Sequence, residues 1–166
     1  SMADPFCNNL SNLIAETATS LMPKGRTIHR GGTYLCMEGP AFSTRAESEF
    51  YRSLGCSIIG MTNHTEARLA KEAELAYASL AMSTDYDCWH RDHDNVTVEM
   101  IISNLQTNSE IASQIICKTV EKIGYSNPDS KAHTALKDGL MTPKDKVPLS
   151  TRKRINLFTE KYWGPL

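Results

Sequence analysis

Short apolar runs alternate with segments of helical periodicity in the first half of this chain, and this alternation restricts the folds available to it. The runs at residues 33–37, 56–61 and 77–84 have the length of β-strands, and the last two are apolar almost without interruption. Strands that are apolar on both faces occur where helices cover both sides of a sheet. The pattern therefore predicts an α/β fold.

Helical segments are predicted between and after these runs. Thr44 and Glu47 have capping-box spacing, which marks the start of one helix. A long apolar stripe precedes Gly124 and predicts one extended helix, and the Pro-containing segment 141–149 is predicted to be a mobile loop. The predicted helices lie at residues 8–21, 44–54, 66–75, 98–123 and 150–163, with a shorter one after Ser130.

Composition excludes several classes of protein. The net charge of −1 disfavours a nucleic-acid or membrane-surface partner, and no apolar run approaches the ~18 residues that a bilayer span needs. The five cysteines are odd in number and never form Cys-x-x-Cys, which disfavours disulfides and zinc and favours reduced thiols. We therefore expect a soluble, cytoplasmic protein whose partner is a small molecule, with the nucleus as the alternative location.

Polar and aromatic side chains follow each predicted strand. In open α/β sheets, ligands gather at the carboxyl ends of the strands, where loops and helix amino termini converge. The segments 38–43, 61–64 and 84–89 supply an aromatic face, hydroxyls, a thioether and two carboxylates. That set of groups suits a purine nucleoside, because a carboxyl group can accept from an exocyclic amine or, once protonated, donate to a ring nitrogen.

Each of these residues also has a structural interpretation. Asp85 and Asp87 taken alone would be solvated loop residues or helix caps, and Phe42 and Met61 would be core residues. The polar loop His90, Asp92, His93 and Asp94 has ligand-type residues but equally suits turns and caps, so no metal is predicted. The basic residues Arg26, His29 and Arg30 lack the interleaved aromatic residues of a nucleic-acid site.

Several blocks of the sequence, read in order, resemble the trimeric purine nucleoside phosphorylase family. The blocks lie at residues 2–7, 38–48, 60–62, 69–73, 77–79 and 81–82, and the most specific is Thr84-Asp85-Tyr86-Asp87-Cys88-Trp89. The resemblance implies the mixed sheet flanked by helices of that family, present here as the second half of the fold. It divides the chain into residues 1–124, which belong to that half, and residues 125–166, a divergent loop and helical tail.

The resemblance also implies an activity. Members of the family that match these blocks cleave 5'-methylthioadenosine with inorganic phosphate to adenine and 5-methylthioribose 1-phosphate, in purine and methionine salvage, as homotrimers. Phosphate is a co-substrate, and neither a metal nor an organic cofactor is implied. A broader purine nucleoside phosphorylase and a non-catalytic nucleoside-binding or oligomerisation fragment are the alternatives.

The family pattern gives roles to residues after the first two strands. It implies that Phe42 lies against the purine, that Met61 lies behind the ribose and that Thr62 contacts phosphate and sugar. Ser43 stands where family members that prefer 6-oxopurines have a glutamate. This position therefore favours a 6-aminopurine.

The pattern gives further roles to the third segment and the long helix. It implies that Asp85 and Asp87 hold the adenine edge, with Asp85 as the acid that donates towards the ring nitrogen N7. Val98 and Ile102 match positions of an apolar methylthio pocket. The phosphate-binding loop, an Arg-His-Gly segment and a Thr/Ala-rich loop of the family lie in an amino-terminal half without counterpart here. We therefore expect a complementary half and expect this chain alone to be incomplete for catalysis.

Overall fold

The computed structural model describes residues 1–90, 98–126 and 128–166, without the side chains of Val98 and Met100. In order, the helices and strands are α1 (Asn8–Leu21), β1 (Thr33–Cys36), α2 (Arg45–Ser53), β2 (Cys56–Gly60), α3 (Asn63–Glu72), α4 (Val98–Ser126) and α5 (Leu149–Trp163). Short 3-10 turns lie at Asp87–Trp89, Lys131–Thr134 and Lys144–Lys146. The predicted positions of all five helices and of the first two strands are confirmed, with shifts of a few residues at their ends.

The strands β1 and β2 are parallel and joined through α2. Tyr34 pairs with Ile58 and Leu35 with Ile59, and one irregularity in register lies between Thr33 and Tyr34. A parallel pair needs a crossover connection, which α2 supplies. The α/β prediction is therefore confirmed, and the carboxyl ends of the two strands lie side by side.

Helix α2 begins at the capping box that the sequence predicts. The Thr44 hydroxyl accepts from the Glu47 backbone N–H at 3.3 Å, and the Glu47 carboxylate accepts from the Thr44 N–H at 2.7 Å. The backbone N–H of Thr44 and then its hydroxyl lower the pKa of Glu47. Gly55 ends the helical segment with a φ of +79°, a conformation that glycine adopts without steric cost.

The prediction of a third strand at residues 77–84 is wrong. Among the described residues the sheet contains only β1 and β2, so this segment has no ladder partner. Its carbonyl groups accept other donors instead: the Cys7 N–H reaches the Tyr77 oxygen at 2.7 Å, and the side-chain amides of Asn108 and Asn104 reach Ser83 and Thr84 at 2.9 and 2.8 Å. An apolar run becomes a strand only where a neighbouring strand satisfies its backbone.

The described core lies largely between α1 and α4, which pack against each other. Thr17 and Ala18 of α1 and Ile115 of α4 are almost fully buried. Thr17 avoids an unsatisfied hydroxyl there because it donates to the Leu13 carbonyl at 2.7 Å. The contact holds α4 against α1.

The tail docks on the turn that follows α3. Glu74 adopts a φ of +56°, and its carboxylate accepts from the Leu136 N–H at 2.9 Å, from the Lys161 ammonium at 2.9 Å and from the Tyr162 hydroxyl. Lys144 donates to the carbonyl of Trp163 at 2.6 Å, a cation at a helix carboxyl terminus. The predicted loop 141–149 thus contains a 3-10 turn that contacts α5; its predicted mobility stays a prediction.

Candidate nucleoside site

The three segments singled out in the sequence meet at the carboxyl ends of β1 and β2. The Ser43 hydroxyl donates to the Met37 sulfur at 3.3 Å, and the Cys88 thiol donates to the Ser43 carbonyl at 3.5 Å. A Cβ placed on Gly39 would approach the terminal methyl of Met61 to 2.5 Å, so the Met61 side chain lies against the backbone of the first segment. The arrangement brings Ser43, Met61 and the 84–89 segment to one place.

Phe42 and Met61 are surface residues. The exposed fraction of Phe42 is 84% and that of Met61 is 36%. The alternative interpretation of both as core residues is therefore wrong. The exposed ring and the exposed thioether, which follow β1 and β2, offer apolar surface on which a planar base and a sugar could pack.

Asp85 and Asp87 are held differently. The carboxylate of Asp85 is exposed and accepts from the Thr84 hydroxyl at 2.7 Å and from the Asp87 N–H at 2.8 Å. Asp87 is half-buried, has a φ of +56° and accepts from the buried Ser48 hydroxyl at 2.5 Å. The Asp87 carboxylate thus points towards α2, while Asp85 keeps an exposed carboxylate at the strand ends.

A small cavity of about 60 Å³ lies under the 84–89 segment, between α2 and the sheet. Ser48, Asp87 and Trp89 line it, and the Arg52 guanidinium stacks 3.5 Å above the Trp89 ring. Burial, and then the Asp87 charge, raise the pKa of the Cys88 thiol. A raised pKa favours the protonated form of this thiol at neutral pH.

Thr62 is the residue before α3 and follows the end of β2. The Thr62 hydroxyl, and then that of Tyr77, lower the pKa of the Glu66 carboxylate. The Tyr77 hydroxyl lies 2.8 Å from Glu66 Oε2 and 2.6 Å from Asn63 Oδ1, and burial together with Glu66 raises the pKa of Tyr77 to about 12. Thr62 thus stands at the start of α3, near the Glu66 carboxylate and at the carboxyl end of β2.

The first turns of α4 approach the same place. Asn104 donates to the carbonyl of Thr84, the residue next to Asp85, and Ile102 is 48% exposed two residues earlier. The side chain of Val98 lies outside the described residues, so the pairing of Val98 with Ile102 stays a prediction. The contacts made by Ser48, Tyr77 and Asn104 were missed in the sequence, because each joins residues 14 to 39 positions apart without any local pattern.

Neither a metal site nor a membrane-spanning helix is found among the described residues. Within the described parts of the chain, no three His, Cys, Asp or Glu side chains are grouped as metal ligands would be. Asp92, His93 and Asp94 of the alternative metal site lie outside the described residues. Among the helices of residues 1–90, 98–126 and 128–166, none has the length and hydropathy of a membrane span.

Comparison with known proteins decides the family. Residues 1–121 match the phosphorylase superfamily. The chain belongs to the phosphorylase superfamily. It is 63% identical over 163 residues to the S-methyl-5'-thioadenosine phosphorylase of Prochlorococcus marinus, and this alignment covers 98% of the chain and 52% of that protein. It is 47% identical over 160 residues to the enzyme of the same name from Geobacter sulfurreducens, covering 96% of the chain and 54% of the relative.

Solved structures of this superfamily agree. A methylthioadenosine phosphorylase from an antarctic soil metagenomic library superposes with a TM-score of 0.89 at 42% identity, covering 95% of the chain and 55% of that structure. The methylthioadenosine phosphorylase of Schistosoma mansoni in complex with adenine superposes with a TM-score of 0.71 at 29% identity, covering 89% of the chain and 56% of that structure. The phosphorylase fold expected from the resemblance is confirmed.

The chain spans about half the length of the curated relatives that it matches. The alignments nevertheless cover almost all of the chain itself, so they include most of residues 125–166. The division at residue 124 stays a prediction.

Proposed function

We propose that this phosphorylase-superfamily chain forms the base-binding and ribose-binding side of a 5'-methylthioadenosine phosphorylase. The observation that carries the proposal is the 63% identity over 98% of the chain to a relative of that name. The geometry supports it, since the exposed Phe42 ring, the Met61 thioether and the exposed Asp85 carboxylate belong to segments that meet. The proposed products are adenine and 5-methylthioribose 1-phosphate.

In the proposed reaction a phosphate oxygen forms a bond to the anomeric carbon while the bond from that carbon to the purine nitrogen breaks. The ribose gains positive charge and the departing purine gains negative charge. Asp85, as the protonated acid, donates to N7 and stabilises that charge, and it is therefore the catalytic residue of the proposal. Asp87 is assigned to the adenine amino group, which requires that it exchange or share its bond with Ser48.

The remaining assignments follow the order of the segments along the chain. Phe42 packs on the purine, Ser43 contacts its 6-amino side, and Met61 lies behind the ribose. Ile102, together with Val98, forms the methylthio pocket. Thr62 contacts the ribose and phosphate. Inorganic phosphate is the co-substrate, and the proposal invokes no metal or organic cofactor.

The phosphate site requires more than Thr62. A multiply charged phosphate is normally bound by several N–H groups and at least one cation, whereas Thr62 offers a single hydroxyl beside the Glu66 carboxylate. We therefore propose that a complementary amino-terminal half supplies the phosphate-binding groups. Leu105, Ile116 and Val120 support such a partner, because each is more than half exposed and the three are spaced along α4 at helical intervals.

Reconstitution tests the proposal. The chain would be co-expressed with the amino-terminal half of the Prochlorococcus marinus relative, and adenine release from methylthioadenosine would be followed with and without phosphate. We expect phosphate-dependent release from the pair and none from the chain alone. A pair that forms without releasing adenine would overturn the proposed reaction, and faster cleavage of inosine would favour a broader purine nucleoside phosphorylase. Release by the chain alone at a normal enzymatic rate would overturn the need for a partner.

Assembly and location belong to the same proposal. We propose a homotrimer of the complete enzyme, located in the cytoplasm. Sedimentation or light scattering of the reconstituted pair measures its molecular mass, and a mass other than that of three complete units would contradict the homotrimer.

A further inference from the structure

Two asparagines of α4 hold the segment that carries Asp85. Asn104 donates from Nδ2 to the Thr84 carbonyl at 2.8 Å, and Asn108 donates from Nδ2 to the Ser83 carbonyl at 2.9 Å. The two asparagines are one helical turn apart, so their amides reach consecutive carbonyls from one face of the helix. They thus supply donors to a segment that has no neighbouring strand among the described residues.

The orientation of the Asn108 amide follows from its partners. Arg26 donates to Asn108 Oδ1 at 2.8 Å, and a guanidinium has only donors. The amide oxygen must therefore face Arg26, which leaves the amide nitrogen for the Ser83 carbonyl. Asn108 is only 5% exposed, so both ends of its amide are satisfied in a buried position.

The hydrogen bonds continue from Thr84 to the Asp85 carboxylate. Asn104 fixes the Thr84 carbonyl, the Thr84 hydroxyl donates to Asp85 Oδ2 at 2.7 Å, and the Asp87 N–H donates to Asp85 Oδ1 at 2.8 Å. The exposed carboxylate is thus oriented through a residue that α4 holds. The same helix carries Ile102, so one rigid element orients the acid and bears the residue assigned to the methylthio group.

We propose that Asn104 and Asn108 are positioning residues that set the geometry of the Asp85 carboxylate from helix α4. The proposal rests on the proposed function, because it assigns these residues a part in the same site. They act through Thr84 and Asp85 and need not touch the nucleoside. Their removal should therefore lower kcat and leave the KM for methylthioadenosine nearly unchanged.

A double-mutant cycle in the reconstituted enzyme tests this. Asn104→Leu removes the donor without adding charge, and we expect kcat to fall roughly tenfold to a hundredfold, as small displacements of a catalytic group do. In an Asp85→Asn background the same change should lower kcat by less than about twofold, because the acid on which it acts is already gone. Equal losses in both backgrounds, or a loss confined to KM, would overturn the proposal.

A matched control is available on α1. Asn9 also donates from its side-chain amide to a backbone carbonyl, that of Asp129 at 2.9 Å, and is exposed like Asn104. Asn9→Leu should leave kcat within about twofold of the parent, since it removes the same kind of bond elsewhere. A fall in kcat as large as that of Asn104→Leu would show that general loosening explains the effect, and would overturn the proposal.

Hydrogen exchange separates this inference from the proposed function. The Asp87 amide proton bonds to Asp85, so its exchange rate reports the geometry of the segment without any substrate. Asn104→Leu should speed that exchange at least tenfold, and Asn9→Leu should not. If the parent enzyme released no adenine, the proposed function would be wrong. The exchange rate of the Asp87 amide proton would still show whether Asn104 holds the segment. Unchanged Asp87 exchange would overturn the positioning role even in an active enzyme.

Discussion

Replacing Glu74 with Gln should loosen the tail and remove an acid-sensitive part of the stability. The Glu74 side chain is 12% exposed, and three donors converge on it from residues 136, 161 and 162. Burial opposes the charge of this carboxylate, but the Tyr162 hydroxyl, the Lys161 ammonium and the Leu136 N–H outweigh it. Together they lower the pKa of Glu74 from 4.5 to about 2.

The contribution of Glu74 to the unfolding free energy follows from the difference between its pKa values in the unfolded and folded states. A depression of about 2.5 pH units, at 1.36 kcal/mol per unit, corresponds to about 3 kcal/mol of unfolding free energy. Lys161 is 54% exposed, and solvent screening of its ion pair reduces the expected value to about 2 kcal/mol. Because the folded-state pKa is lowered, this stability is complete above about pH 5 and is lost as the pH falls towards 2.

The unfolding free energy can be measured by urea unfolding, followed by tryptophan fluorescence, at pH values between 2.5 and 7. Glu74→Gln should lower the unfolding free energy by about 2 kcal/mol at pH 7 and by much less at pH 2.5, so the two proteins converge in acid. Glu72→Gln provides the control, since Glu72 is an exposed glutamate at the end of α3, two residues before Glu74. A Glu74→Gln deficit that was equally large at both pH values would refute the assignment of the acid-sensitive stability to this carboxylate.

Three further predictions concern the Asp85 carboxyl group, the methylthio pocket and the amino-terminal cap of α2. In the reconstituted enzyme, Asp85→Asn should raise the activation free energy for kcat by about two to four kcal/mol, because the amide can hydrogen-bond to N7 but cannot transfer a proton to the departing purine as an acid does; an unchanged rate would remove Asp85 from the mechanism. Competition between methylthioadenosine and adenosine should favour the methylthio compound by roughly one to three kcal/mol, because Ile102 has no partner for a buried hydroxyl; preference for adenosine would contradict the pocket. Thr44→Ala should cost about 1 kcal/mol of unfolding free energy through loss of the cap, and an unchanged urea midpoint would contradict this.

Local signals were sufficient for much of this fold. The Thr44 capping box, the spacing of apolar residues in α1 and the long stripe of α4 depend on neighbours three or four residues apart, and each predicted helix is present. Residues 77–84 have an equally strong apolar run but form no strand, because a strand depends on a second segment that local sequence does not contain. Helix α3 begins at Asn63 instead of Glu66, since the residues between them have no apolar periodicity.

The candidate site shows the same division between local and distant information. The sequence placed Phe42 and Met61 after the first two strands, and the parallel pairing of β1 and β2 brings those ends together. The segment of Asp85 follows no strand among the described residues and reaches the same place through the hydrogen bonds of Cys88 to Ser43 and of Ser48 to Asp87. The hydrogen-bond partners of these side chains could not be predicted, because the partners are distant in the chain. The Ser48 hydroxyl donates to the Asp87 carboxylate, 39 residues away, and the Asn104 amide donates to the Thr84 carbonyl, 20 residues away.

The hydrogen bonds of the described site bear on the substrate of the proposed reaction. Asp85 accepts from the Thr84 hydroxyl and the Asp87 N–H; in its charged form it offers a ligand only acceptors, and in the protonated form of the proposed reaction it adds one donor towards N7. Ribose hydroxyls and an adenine amino group are donors and match those acceptors. Phosphate is chiefly a negatively charged acceptor, and the Glu66 carboxylate near Thr62 would repel it unless cations and N–H groups faced it from another wall. The polarity of the site and the half-length of the chain relative to its relatives both favour the proposed division of labour, in which this side of the site binds the nucleoside and a complementary polypeptide segment binds the phosphate.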